Sequence, residues 1–324
     1  MNTQSNAVPE SPIASAVVTP AAMAETRPMY WSVRRELWEN RSLYIAPVVF
    51  ATVYLFGYLI SLTWMPHGMR EFWMPHTMRE MPTLAPADQR IELAMPYSHA
   101  TMLLMLIAFI VGIFYCLDAL YGERRDRSIL FWKSLPVSDL TAVLSKASIP
   151  LLILPFIVFA VTIALHLTMR LLTLAILAVT GGGASTLWDR LPLFQMELVL
   201  LYSLIVVALW HAPVYCWLLL VSGWARRATF LWAVLPPLAL AVAENIAFHT
   251  SFLGSMLHNR LLGFFAVAFD LKDKNGVAID PHFIPLTQLA PGRFLSSPSV
   301  WVGLVVAAIF LAAAVRLRRY REPI

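Results

Sequence analysis

The sequence predicts an all-α, polytopic membrane protein with six transmembrane helices. An N-terminal helix lies at the membrane interface, and a short amphipathic helix sits on the inner side between spans 2 and 3. Three observations lead there. Apolar runs long enough to cross a bilayer recur along the 324 residues. Hydrophobic residues make up 59% of the chain and charged ones only 13%, about half the share in a soluble domain. The runs lack strict apolar–polar alternation, which argues against a β-barrel.

Residues 1–27, rich in Ala, Ser, Pro and Thr, read as a disordered tail. They do not read as a cleavable signal. No Lys or Arg precedes Arg27, and Pro9, Pro12 and Pro20 break the early apolar letters. Residues 28–324 form one transmembrane domain. In 28–40, Tyr30, Trp31, Val33, Leu37 and Trp38 recur at helical spacing, with Arg34, Arg35, Glu36 and Glu39 between them. Pro28 suits a first helical turn. This segment is the interfacial helix.

The spans are expected at about 43–64, 100–120, 142–168, 194–222, 228–249 and 300–315. Pro150, Pro155, Pro213, Pro236 and Pro237 fall inside them and are expected to kink the third, fourth and fifth helices, as neighbouring helices permit. Residues 171–179 extend the third span outward. The stretch 252–269 is apolar but interrupted by His258, Asn259 and Arg260, so it fits a seventh span or a re-entrant pair of short helices.

Charge decides between these. With six spans and the N-terminus inside, fifteen of the 24 basic residues fall on inner segments and nine on outer ones. Every short inner segment is then basic, as the positive-inside rule requires. A seventh span would place Arg316, Arg318, Arg319 and Arg321 outside. Six spans and a membrane-dipping 250–299 region follow. The location is a cell (inner) membrane, with both termini cytoplasmic.

Several function classes find no support. The net charge of +5 follows topology and is no nucleic-acid footprint. Cys116 and Cys216 lie in apolar runs without metal or disulfide spacing. Residues 64–72 and 73–81 form a tandem repeat containing Met and His, a copper-compatible pair. Prolines break both copies and no second ligand cluster accompanies them, so no metal site is assigned. The chain has no lysine-bearing phosphate loop and no HExxH motif. Ionisable residues noted inside the spans are Asp118, His166, His211, Glu244 and His249. His211, beside Pro213, and the Glu244–Asn245 pair are candidates for a polar path or for interhelical hydrogen bonds.

The most informative stretch is 118–139. A dense charge cluster, Glu123, Arg124, Arg125, Asp126 and Arg127, runs into Ile129, Leu130, Phe131, Trp132 and Leu135 and stops at Pro136. Its composition suits a short amphipathic helix at the membrane edge or against a partner protein.

This stretch, with its Leu135-Pro136-Val137-Ser138 ending, resembles the segment after the second helix in membrane permease subunits of ABC-2 type exporters. The architecture agrees over nearly the whole chain. The resemblance implies a permease domain over 28–324 and a transporter subunit with no ATPase site or cofactor of its own. A separate ATPase subunit would hold ATP and Mg²⁺, and a second permease subunit would complete a homodimer or heterodimer in the bilayer. Residues from Glu123 to Pro136 would be the coupling helix. Ile129, Phe131 and Trp132 would enter a groove on the ATPase, and the charges would fix orientation. The cargo would be amphipathic or lipid-like, in keeping with the aromatic and Met-rich spans. The residues alone also fit a non-transporting scaffold or receptor subunit. A third reading is a secondary transporter driven by protons through Glu244 or the histidines.

Overall fold

The computed structural model describes residues 27–63, 86–134, 137–180, 191–270 and 284–320. The expected tail, apart from Arg27, lies outside them, as do the tandem repeat, Leu135 and Pro136. Within the described residues the chain is helical, with one isolated bridge between Phe269 and Leu289. Six helices are long and apolar enough to cross a membrane.

Helix α1 (Pro28–Glu39) leads through Asn40 into α2 (Ser42–Thr63), the first span. Helix α3 (Pro86–Ala119) is the second. It starts well before the expected residue 100. The polar letters Gln89, Arg90 and Glu92 hide a continuing inward face, and Leu93, Ala94, Tyr97, Ala100 and Leu104 are all buried at helical spacing. Pro96 is tolerated inside this helix, and the Tyr54 hydroxyl donates to its carbonyl at 2.6 Å.

Two short helices follow, α4 (Tyr121–Arg125) and α5 (Ser128–Ser134). Arg127, with a left-handed φ of 57°, makes the turn between them. The third span begins with α6 (Asp139–Ser148), three residues earlier than expected. Ser138 accounts for the difference, because its hydroxyl accepts from the Thr141 amide at 3.1 Å and caps the helix. A π-helical turn (Ile149–Ile153) carries Pro150, and α7 (Leu154–Thr180) continues through the expected extension. Proline's missing N–H makes such a bulge a natural response.

Helix α8 (Leu193–Trp224) is the fourth span and the central one. It packs most extensively on α13 (Pro298–Tyr320), and also on α3 and α7. Helix α13 runs past the expected end at 315 because Arg318, in its last turn, finds carboxylate partners, described below. Helix α9 (Thr229–Phe248), the fifth span, buries only Ala233. The Trp217 indole ties it to α8 by donating to the Ala233 carbonyl at 3.0 Å.

The 252–269 stretch forms two short helices, α10 (Phe252–Leu262) and α11 (Phe264–Ala268), and no seventh span. A 3-10 turn (Leu286–Gln288) and α12 (Pro291–Ser296) follow. This region packs on α8 through Val206, Trp210, Ala268, Phe269, Phe294 and Val300. Trp210 stands roughly 26 Å along α8 from Leu193, at about 1.5 Å per residue, so the two short helices reach the middle of α8.

Two measurements follow. Trp210 is fully buried, so Trp210→Ala is expected to cost about 3 kcal/mol, read as a lowered melting temperature in detergent, while exposed Ile246→Ala stays within about 0.5 kcal/mol. Cysteines placed singly at Arg227 and Ser251, at the two ends of α9, should react with impermeant thiol reagents from opposite sides of the membrane. The native thiols are buried and give little background. Labelling of both from one side would mean that α9 does not cross.

Candidate functional site

At one end of the bundle the charges of four segments converge. Glu36 of α1 is 1% exposed. Its Oε1 accepts from Arg35 at 2.7 Å and from Lys146 Nζ at 2.8 Å, and its Oε2 from the Tyr115 hydroxyl at 2.8 Å. Glu123 of α4 is the second centre. Its Oε1 accepts from Arg35 at 2.8 Å and faces Lys146 at 3.2 Å. Its Oε2 accepts from Arg318 of α13 at 3.1 Å. Arg318 reaches on to Asp139 at the start of α6, at 3.0 Å. Three carboxylates thus meet three cations, and the buried cluster is formally neutral.

Neutrality matters because an unpaired charge here would be costly, whereas a hydrogen-bonded pair is tolerated. Burial alone would raise the Glu36 carboxyl. Lys146 and Arg35 outweigh that, and its pKa lies below the ordinary 4.5. Beside the cluster, Arg124 donates to the carbonyls of Gly223 at 2.7 Å and Ala225 at 3.2 Å. It thereby satisfies orphan carbonyls at the end of α8 and sets a cation against the negative end of that helix.

The expected coupling residues therefore divide. Glu123, Arg124 and Ile129 face inward and are buried. Trp132 is half-buried, with the Arg35 guanidinium 3.9 Å from its ring centroid. Arg125, Asp126 and Arg127 are exposed, and Arg125 pairs with Asp126 at 3.0 Å. Leu130 and Phe131 point outward, 58% and 61% exposed. The result is a short helix clamped from behind, presenting a small apolar patch ringed by charge.

His211 and the Glu244–Asn245 pair, candidates for a polar path or for interhelical hydrogen bonds, bind separate partners. The His211 nitrogens lie 3.0 Å from the Val207 carbonyl and 3.1 Å from that of Leu261. The latter carbonyl, with Arg260 O held by the Trp210 indole at 2.9 Å, belongs to the last turn of α10. Such carbonyls lack partners within their own helix, and in a packed apolar setting side chains must supply them. Glu244 works elsewhere. Its carboxylate accepts from the Thr250 hydroxyl and from the Phe252 and Leu253 amides at 2.7–2.8 Å, capping the start of α10. The Asn245 side chain is exposed, and its carbonyl accepts from the His249 amide.

One polar contact was not anticipated from the sequence. His166 of α7 lies 2.6 Å from Glu197 Oε1 of α8, with its other nitrogen 3.0 Å from the Tyr97 carbonyl of α3. Glu197 stands inside the expected fourth span but is not among the ionisable residues noted there; its place in an apolar run is the signal that could have found it. The buried cluster itself had a weaker signal, namely acids at 36 and 123 inside otherwise amphipathic stretches.

Glu36→Gln should lower stability at neutral pH by roughly 3 kcal/mol, because it leaves a surplus buried cation. Since the folded pKa of Glu36 is depressed, its stabilisation is present above about pH 4.5 and fades as pH falls through the folded value. Melting curves of wild type and Glu36→Gln should therefore converge at acid pH. The joint replacement Glu36→Leu with Lys146→Met, which restores balance, should cost less than either single change.

Compared with protein-family models, with curated proteins and with solved structures, the chain matches none.

Proposed function

We propose that this chain is the membrane permease subunit of an ATP-driven ABC-2 type exporter, with its energy supplied by a separate ATPase subunit. The observation that carries the reading is the α4–α5 segment. It exposes Leu130 and Phe131 while Glu123, behind them, is bound to Arg35, Lys146 and Arg318. A push on that patch is delivered at once to α1, α6 and α13, and so to the first, third and sixth spans. Rigid elements joined by ion pairs are suited to passing such a displacement. The resemblance of 121–138 to the exporter segment supports the same reading, as does the positive-inside assignment of this end to the cytoplasm. The second permease subunit and the amphipathic or lipid-like cargo belong to this proposal.

A second reading, proton-coupled transport, is favoured by the His166–Glu197 contact between α7 and α8. Inside a membrane such a pair is a natural place to hold a proton. Uptake by reconstituted vesicles driven by a pH gradient without ATP would establish it in place of the exporter.

The complex purified from native membranes should hydrolyse ATP, and the chain stripped of partners should neither bind nor hydrolyse it. Phe131→Ala should weaken ATPase binding by about 2 kcal/mol, roughly thirtyfold, with an unchanged melting temperature, because the ring is exposed. Trp132→Ala should lower the melting temperature as well, since it removes the surface on which Arg35 rests. Full ATPase binding by Phe131→Ala would sink the coupling role of this patch.

A further inference from the structure

Helix α1 has two faces with different work. Its inner face delivers Glu36 to the buried charge cluster, with Val33 and Leu37 packed beside it. Its outer face carries Tyr30, Trp31, Arg34 and Trp38, and the three aromatics are 55%, 57% and 64% exposed. The Arg34 guanidinium lies between the two indoles, 5.3 Å from the Trp31 centroid and 4.6 Å from that of Trp38. Exposed Arg27 and Arg41 stand at the two ends of the helix, each seven residues from Arg34. Arg34 thus sits within the helix and the other two flank its ends, so positive charge recurs along the whole length of α1.

Among the described residues none of these arginines has a carboxylate partner. The nearby acids are engaged elsewhere, Glu36 in the cluster and Glu39 with Arg35 at 3.6 Å. The strip therefore presents uncompensated positive charge between aromatic rings. Its position is also constrained. Only Asn40 and Arg41 separate α1 from the first span at Ser42, so the strip cannot stand far from the bilayer surface. Indoles favour the headgroup level, and guanidinium groups bind phosphodiesters through paired N–H donors.

We propose that the outer face of α1, with Trp31, Arg34 and Trp38, together with Arg27 and Arg41 flanking the helix, is a binding surface for anionic phospholipid headgroups. The indoles set depth in the headgroup layer, and the arginines take the phosphates. The two indoles hold the Arg34 guanidinium between them. Because the other face of α1 carries Glu36, lipid charge acts on the same helix that clamps Glu123.

The test uses the full chain in detergent with mixed lipid, phosphatidylglycerol against phosphatidylcholine, and counts retained lipids by native mass spectrometry. Wild type should retain the anionic lipid preferentially, and each arginine removed should reduce that preference by up to about fivefold. The triple variant Arg27→Gln, Arg34→Gln, Arg41→Gln should lose the preference and keep the wild-type melting temperature, since these side chains make no tertiary ion pair among the described residues. If the triple variant fails to fold, Arg41→Gln alone, at the helix end, should still show a reduced preference. Equal retention of both lipids by wild type, or a preference that survives the arginine changes, overturns the proposal. Soluble glycerol phosphate should not displace the lipid. If it does, the strip binds free anions and the membrane assignment is overturned.

Discussion

The rest of the structure depends on one balance of charge. Glu36 and Glu123, both nearly inaccessible, share Arg35 and Lys146, and Glu123 passes the chain of contacts through Arg318 to Asp139. The lipid interior supplies little hydrophobic drive between helices. Pairing of these ions is what brings α1, α4, α6 and α13 to one place. It also explains why the last span runs beyond its apolar stretch. Arg318 stays helical because its guanidinium ends between two carboxylates and not in lipid.

That clamp gives the α4–α5 segment its character. A loop carrying Leu130 and Phe131 would normally fold its apolar groups away. Here the inner face of the segment is already occupied by Glu123, Arg124 and Ile129, so the remaining apolar groups have no room inside. Arg124 adds a second attachment at the end of α8. The turn at Arg127, in a backbone region that side chains rarely adopt, sets the angle at which the patch is presented.

Elsewhere the buried polar groups solve backbone problems. The α10–α11 pair ends helices beside the middle of α8, against a buried apolar cluster. Trp210 and His211 answer its free carbonyls, and Glu244 answers its free amides. Gly303 allows Arg260 to lie against α13, since a Cβ there would stand 1.4 Å from the guanidinium. His166 and Glu197 are of a different kind, a pair of titratable side chains joined to each other across two spans.

The sequence by itself determined the helical class, six apolar helices long enough to cross a membrane, the helix that opens at Pro28 and the short helix after Arg127. These follow from local hydropathy and period, and lipid forces backbone hydrogen bonds to close within each helix. It read the ends poorly. Residues 86–99 looked too polar for a span and 316–320 too charged, because a local reading cannot see that Tyr97 meets a core or that Arg318 meets Glu123. The same blindness scattered the candidate site. Glu123 and Arg124 resembled outward charges, and His211 and Glu244 fitted a path or interhelical hydrogen bonds equally. Partners 88 and 195 residues away decide which way an ionisable side chain turns. Only the tertiary structure could join them, because the energy of a buried charge depends on what stands within a few ångströms of it and not on its neighbours in the chain.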